Sequence, residues 1–244
     1  MSSLVFINQL SGHHSDKLAP WFSGEHEQNL ICNIESDMTI PSNLSSFQSI
    51  VLCGGDDTIR KVVQLLLQSH SPKDIPNIFI FPSGTVNDLC RVLDIPLNHR
   101  KALSLFHSGQ HIVNVDYGIG TNLSEDEPSK QVLFFSRCST GFLVNLQRRV
   151  FATSLPSSSF SYYKSVLPAF VSVEPVDYII KADDAILHRR SIGIIVTNSN
   201  FMGGLKWASS DQINCGDGYL DLLIYTAESL FEKVKLLRGI FWGF

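Results

Sequence analysis

The sequence predicts an α/β fold, with a doubly wound α/β domain over residues 1–110 and a β-rich, sandwich-like domain over residues 111–244. Three observations carry that prediction. Short apolar runs without polar alternation punctuate the first third, as expected of parallel strands covered on both faces. Two of those runs pass through Gly-containing loops directly into helix patterns. Beyond about residue 112, strand patterns follow one another with no helix pattern between them.

The runs fall at residues 4–7, 30–34, 50–53 and 78–81. Only about 15 residues separate the second from the third, and they include Pro41 and several serines, so a full crossover helix is cramped and a shortened element is expected there. After the third run, residues 58–69 place Ile59, Val62, Val63, Leu66 and Leu67 on one helical stripe. A further helix is expected to start near Asn87 and stop before Pro96. In the second domain, residues 176–182 and 186–196 flank Asp183-Asp184, a hairpin signal, and residues 219–225 alternate like a strand with one wet face. Residues 120–130 and 154–161 read as exposed loops. Leu230, Phe231, Val234, Leu237 and Phe241 recur at helical spacing, which predicts a final helix packed on a sheet.

Composition narrows the function. With 44% hydrophobic and 17% charged residues, the 244-residue chain has the makeup of a globular protein and excludes disorder, collagen-like fibres and charge-rich coiled coils. A net charge of -4 gives no general attraction for nucleic acid, so no nucleic-acid partner is expected. Cys32, Cys53, Cys90, Cys138 and Cys215 are scattered, with no C-x-x-C pair to suggest zinc, and read as reduced cytoplasmic thiols. The N-terminus has no basic leader, and no apolar stretch approaches 18 residues, so neither export nor a transmembrane segment is indicated.

The chemistry concentrates in two loops. Residues 51–59 (VLCGGDDTI) run from a strand through Gly54 and Gly55 into Asp56, Asp57 and a helix. Glycines let backbone amides approach an anion, and a helix N-terminus adds free N–H groups and a favourable dipole. That pattern fits a phosphate cradle, and equally a tight turn with an Asp cap on the helix. Residues 78–88 (IFIFPSGTVND) repeat the arrangement one strand later. Loops after neighbouring parallel strands share the carboxyl edge of the sheet, where open α/β folds bind ligands.

With those blocks in view, the sequence resembles the diacylglycerol kinase catalytic-domain superfamily, which includes sphingosine kinases and bacterial lipid kinases. Residues 6–12 (FINQLSG) are similar to the family's N-P-x-S-G opening, residues 54–58 (GGDDT) to G-G-D-G-T, and residues 81–91 (FPSGTVNDLCR) to P-x-G-T-x-N-D-x-A-R. Residues 135–142 and 198–220 resemble the remaining signatures, a G-F and then a G-G followed by D-G-x-L. NAD kinases share the G-G-D-G-T loop and the two-domain fold, whereas the G-T-x-N-D block is characteristic of the lipid-kinase branch. The resemblance implies an ATP-dependent kinase that uses Mg2+ and phosphorylates a lipid hydroxyl at a membrane surface. It implies that Asn8, Ser11, Gly12, Gly54, Gly55, Asp57, Thr58, Gly84, Thr85 and Asn87 face the nucleotide. Asp56 and Asp88 would then act at the reacting centre, and Asp217 would contact a divalent ion. Asp88 also reads as a helix-start carboxylate, and Asp217-Gly218 as a hairpin turn.

The sequence departs from the family at several points. Asp57 replaces the third glycine of the phosphate loop. A carboxylate about 5 Å from a phosphate charge, at an effective dielectric near 20, repels it by roughly 3 kcal/mol. Alternatively Asp57 turns outward as a helix cap or ligates a metal. The family's D-G-E segment, with its proposed catalytic glutamate, has no counterpart within these residues, so the second domain reads as incomplete at its C-terminal end. Gln9 stands where the family has proline, and His13-His14 stand where a Lys or Arg often occurs. These departures keep a second function in view, a catalytically silent homologue that binds lipid or a partner protein.

Overall fold

The computed structural model describes residues 2–9, 18–22, 30–34, 38–110, 112–123, 131–145, 172–206 and 213–242. Strands β1 (Ser3–Ile7), β2 (Leu30–Asn33), β3 (Ser49–Gly54) and β4 (Asn77–Pro82) form one parallel sheet in the order β2-β1-β3-β4. Side chains alternate across it. Leu4, Phe6, Ile50 and Leu52 enter one core with Ile59, Val62, Val63 and Leu66 of helix α1 (Asp56–Ser69). Val5, Ile7, Val51 and Cys53 enter the other with Leu18, Phe22, Phe81 and Ala102. A strand covered on both faces needs an apolar residue at every position, which explains the unbroken runs. Each such large side chain contributes about 1.5–3 kcal/mol by leaving water.

Residues 38–48 contain no helix. Met38, Ile40, Leu44 and Phe47 pack on the first core instead, so an irregular segment does the covering that a crossover helix usually does. The helix expected before Pro96 is short: α2 spans Asp88–Val92, and Asp94 with φ 52 lies in the left-handed region that ends helices. Helix α3 (His99–Ser108), which supplies Ala102, begins where the Asn98 side chain accepts from Lys101 N and ends at Gly109 with φ 62.

Two compact units divide the chain. The first takes Met1–Ser136, Phe201–Lys206 and Cys215–Gly218; the second takes Arg137–Asn200, Trp207–Asn214 and Tyr219–Phe244. Residues 111–136, assigned from sequence to the second domain, thus lie in the first unit. There β5 (Gly118–Thr121) pairs with β6 (Gln131–Phe134). Gln64 of α1 docks on β6 as a strand would, its Nε2 donating to Gln131 O at 3.3 Å and its Oε1 accepting from Leu133 N at 3.3 Å.

In the second unit, β7 (Arg137–Gly141), β10 (Gly193–Thr197) and β13 (Asp221–Tyr225) form an antiparallel sheet in the order β13-β10-β7. The hairpin β8 (Val176–Ala182) and β9 (Ala185–Ser191) turns at Asp183-Asp184, with Asp183 at φ 50. The run 186–196, read from sequence as one strand, breaks at Ser191 to Gly193. The Ser191 hydroxyl lies 2.8 Å from Gly193 O and 2.9 Å from Tyr225 O and accepts from Gly193 N at 3.1 Å, fixing a bend that passes the chain from hairpin to sheet. The last helix, Leu230–Trp242, opens with a capping box: Glu232 N donates to Ser229 Oγ, and Glu232 Oε2 accepts from Glu228 N and Ser229 N. Leu230, Phe231 and Val234 are exposed, whereas Lys233 is buried and its Nζ donates to Val173 O. The expected loop 154–161 and the side chains of Phe241, Trp242 and Phe244 lie outside the described residues. Among the described residues no helix is long and apolar enough to cross a membrane.

Candidate functional site

The chain leaves β1 toward β2 on one side and leaves β3 toward β4 on the other, so the carboxyl ends of β1 and β3 border a topological switch point. Asn8 follows β1, and Gly54-Gly55 follow β3. Asn8 N donates to Cys53 O at 3.0 Å, and Asn8 Nδ2 donates to Thr58 Oγ1 at 2.8 Å. The Thr58 side chain lies over Gly54, where a Cβ would meet Thr58 Cγ2 at 2.4 Å. One strand along, Gly84 rests on Gly55: a Cβ at Gly84 would stand 2.4 Å from Gly55 Cα. The two loops predicted to share one edge are in contact, and glycine is what lets them touch. Helix α1 starts from Gly55, which has no side chain with which to cap it.

The polar residues of these loops hold one another. Asn87, buried and at φ 56, closes its own loop through Oδ1, which accepts from Gly84 N at 2.8 Å, and Nδ2, which donates to Gly84 O at 2.8 Å. Asp56 at the start of α1 reaches across to α2, where Oδ2 accepts from Asp88 N at 3.1 Å and Oδ1 accepts from Leu89 N at 2.9 Å. Asp88 in turn accepts from Gly203 N at 2.8 Å and Gly204 N at 2.7 Å. These glycines join the two-residue strands β11 (Phe201–Met202) and β12 (Leu205–Lys206), and their φ values of 63 and 83 turn both amides to the carboxylate. Two carboxylates thus link three loops that are far apart in sequence. Thr85 is exposed, and Ser83 Oγ beside Gly84 is buried with no hydrogen-bond partner among the described residues.

Asp57 lies within α1 and its φ is not positive, so the backbone does not require the glycine that the family carries. Its side chain is 65% exposed and ion-paired, Oδ1 to Arg60 Nη2 at 2.8 Å and Oδ2 to Lys61 Nζ at 2.7 Å. Its carboxyl titrates below the ordinary value: partial burial raises it, and hydrogen bonds and charge from Lys61 and Arg60 outweigh that. These cations were missed in the sequence, although their spacing from Asp57, i+3 and i+4, is the signal for a helical ion pair.

Ser11, Gly12 and His13-His14 lie outside the described residues. Asp217 sits in a turn of the first unit in which Gly218 N donates to Asp116 Oδ2 at 2.6 Å and Asp116 N donates to Cys215 O at 2.7 Å. Among the described residues, no group of three or more His, Cys, Asp or Glu side chains is placed to hold a metal ion. The cysteines are free, and burial pushes the Cys90 thiol up to about 12, which keeps it protonated and unreactive.

An open parallel sheet with paired glycine loops at its switch point, followed by an antiparallel β-rich unit, is the two-part α/β fold shared by NAD kinases and diacylglycerol kinases. Residues 2–118 match the diacylglycerol kinase catalytic domain, and residues 136–244 match the YegS C-terminal NAD kinase beta sandwich-like domain. The chain belongs to the diacylglycerol kinase catalytic-domain superfamily. It is 26% identical over 209 residues to a diacylglycerol kinase of Staphylococcus carnosus, covering 80% of this chain and 61% of that protein. It is 26% identical over 215 residues to one of Bacillus subtilis, covering 80% of this chain and 62% of that one. The chain therefore spans about three-fifths of the length of these curated relatives. A solved diacylglycerol kinase structure from Bacillus anthracis superposes with a TM-score of 0.66 at 18% identity, covering 99% of this chain and 79% of that one. A second solved structure from that organism, a putative diacylglycerol kinase, gives 0.67 at 18% identity, with 98% and 80% covered.

Proposed function

We propose that this protein is an ATP-dependent lipid kinase that transfers the γ-phosphate to a hydroxyl of a diacylglycerol, sphingoid base or related lipid at a membrane surface, working from the cytoplasm. The observation that carries this reading is the cradle at the switch point: Gly54, Gly55 and Gly84 offer backbone without side chains beside the N-terminus of α1. A Cβ at Gly54 would press on the Thr58 side chain, and one at Gly84 would part the two loops. The Thr58 hydroxyl, its oxygen already accepting from Asn8, still has a proton to donate, and the unpartnered Ser83 hydroxyl adds a second polar group in the neighbouring loop. The residues present thus fit a nucleotide phosphate chain. Mg2+ bound with ATP would supply neutralisation of phosphate charge. Asp56 and Asp88 serve as positioning residues, because their oxygens hold the main-chain amides of α2 and of the Gly203-Gly204 turn. Asp217 lies in the turn that Asp116 ties down and is a candidate oxygen donor to a divalent ion.

The engagement of both carboxylates by amides also favours a second reading, a silent relative that binds nucleotide or lipid without turnover. Incubation with radiolabelled ATP, Mg2+ and diacylglycerol or sphingoid base in mixed micelles separates the two. Label in the lipid supports the kinase; binding of Mg-ATP without lipid labelling supports the silent relative; no Mg-ATP binding overturns the nucleotide reading altogether.

A further inference from the structure

We infer that Arg60 and Lys61 are positioning residues that let a carboxylate stand in the phosphate loop, by cancelling the charge of Asp57. The inference rests on the nucleotide reading of the cradle. Asp57 occupies the second residue of α1, beside the amides that would meet phosphate, where an unpaired carboxylate would oppose both the helix dipole's attraction for anions and the anion itself. Two cations meet it there. Arg60 Nε and Nη2 both donate to Asp57 Oδ1, at 3.1 and 2.8 Å, and Lys61 Nζ contacts Oδ2 at 2.7 Å.

An exposed ion pair is ordinarily worth little, because two long side chains must be ordered to form it. Arg60 differs in being held at both ends. Its side chain is only 26% exposed, and Nη1 donates to Gln64 Oε1 at 3.2 Å. Gln64 is itself fixed to the β6 backbone at Gln131 and Leu133. The guanidinium is therefore preorganised against Asp57 by a chain of contacts anchored on a strand. Two cations against the two first-turn carboxylates, Asp56 and Asp57, bring the opening turns of α1 to neutrality. The departure from the family's glycine and the two basic residues that follow it form one electrostatic unit.

The unit predicts a particular pattern of coupling. Mg-ATP binding is titrated for the full chain, Asp57→Gly, Arg60→Gln/Lys61→Gln, the triple variant and Arg60→Lys, with thermal midpoints measured alongside. Asp57→Gly should bind within about threefold of the parent, because Asp57 is 65% exposed and ion-paired, and solvent screens the cations its removal frees. Arg60→Gln/Lys61→Gln should bind at least tenfold more weakly, equivalent to about 1.4 kcal/mol, since it exposes Asp57 to the phosphates. The triple variant should recover most of that loss, and Arg60→Lys, which keeps the charge but not the guanidinium's simultaneous contacts with Asp57 and Gln64, should fall between the parent and the double variant. Raising ionic strength should shrink the gap between the double and triple variants, a response that a packing role would not give. Equal losses from the double substitution whether Asp57 is present or replaced by glycine would mean the cations touch phosphate independently of Asp57, and would overturn the inference. So would a tenfold gain from Asp57→Gly alone. Absence of Mg-ATP binding in all variants would instead bring down the nucleotide reading itself, a pattern distinct from binding that is merely additive.

Discussion

Replacing Gly84 with alanine would set a methyl carbon 2.4 Å from Gly55 Cα, backbone against backbone, with no flexible side chain to yield. Forced overpacking of this kind costs about 1–3 kcal/mol, so Gly84→Ala should lower the urea midpoint, and an unchanged midpoint would show that the loops do not touch. Asn87 has two separate tasks, the left-handed backbone and the closure of the loop on Gly84. Asn87→Gly should lose only the closure, and Asn87→Ala should lose both, which makes alanine the worse substitution by about 1 kcal/mol in the same unfolding experiment.

At the level of the element, the final helix depends on one glutamate. Hydrogen bonds from Ser229 N and Glu228 N hold the Glu232 carboxyl below its ordinary value of 4.5. A carboxyl depressed in the folded state stabilises it above the ordinary value, and the gain disappears as pH falls through the folded value. Helix content followed by circular dichroism should therefore decline on acidification below about pH 4.5 in the parent and less steeply in Glu232→Gln; identical acid limbs would show that the cap contributes nothing. Elements were also where the sequence was most legible. The apolar runs announced the strands, most plainly β1 and β3, where burial on both faces demands apolar residues throughout, and the stripe from Ile59 to Leu66 announced α1. What escaped was set by distant partners. The bend at Ser191 depends on the carbonyl of Tyr225, and the docking of β6 depends on Gln64. In the candidate site, the glycine loops were readable from their residue types. The amide partners of Asp56 and Asp88 were not, because a carboxylate has the same sequence signature whether it meets a substrate or a main-chain N–H.

Across the whole molecule, the first compact unit is discontinuous and Asp88 is one of its fastenings. Asp88→Asn replaces one accepting oxygen with a donor, which leaves an amide of the Gly203-Gly204 turn facing it unsatisfied at a cost of about 1–3 kcal/mol. Hydrogen exchange should accelerate at Gly203, Gly204 and the start of α2, while amides of the β13-β10-β7 sheet keep their protection. Acceleration across both units would mean that they unfold as one. The same fastening also governs the order of events during synthesis. Asp88 is made 115 residues before the amide of Gly203, a wait of roughly 6 to 23 s at ribosomal rates of about 5–20 residues per second. Through that interval the strands β1 to β4 have all been made, yet the Asp88 carboxylate lacks the two amides of the Gly203-Gly204 turn. The loops proposed to carry phosphate are thus completed only once the Gly203-Gly204 turn has been made.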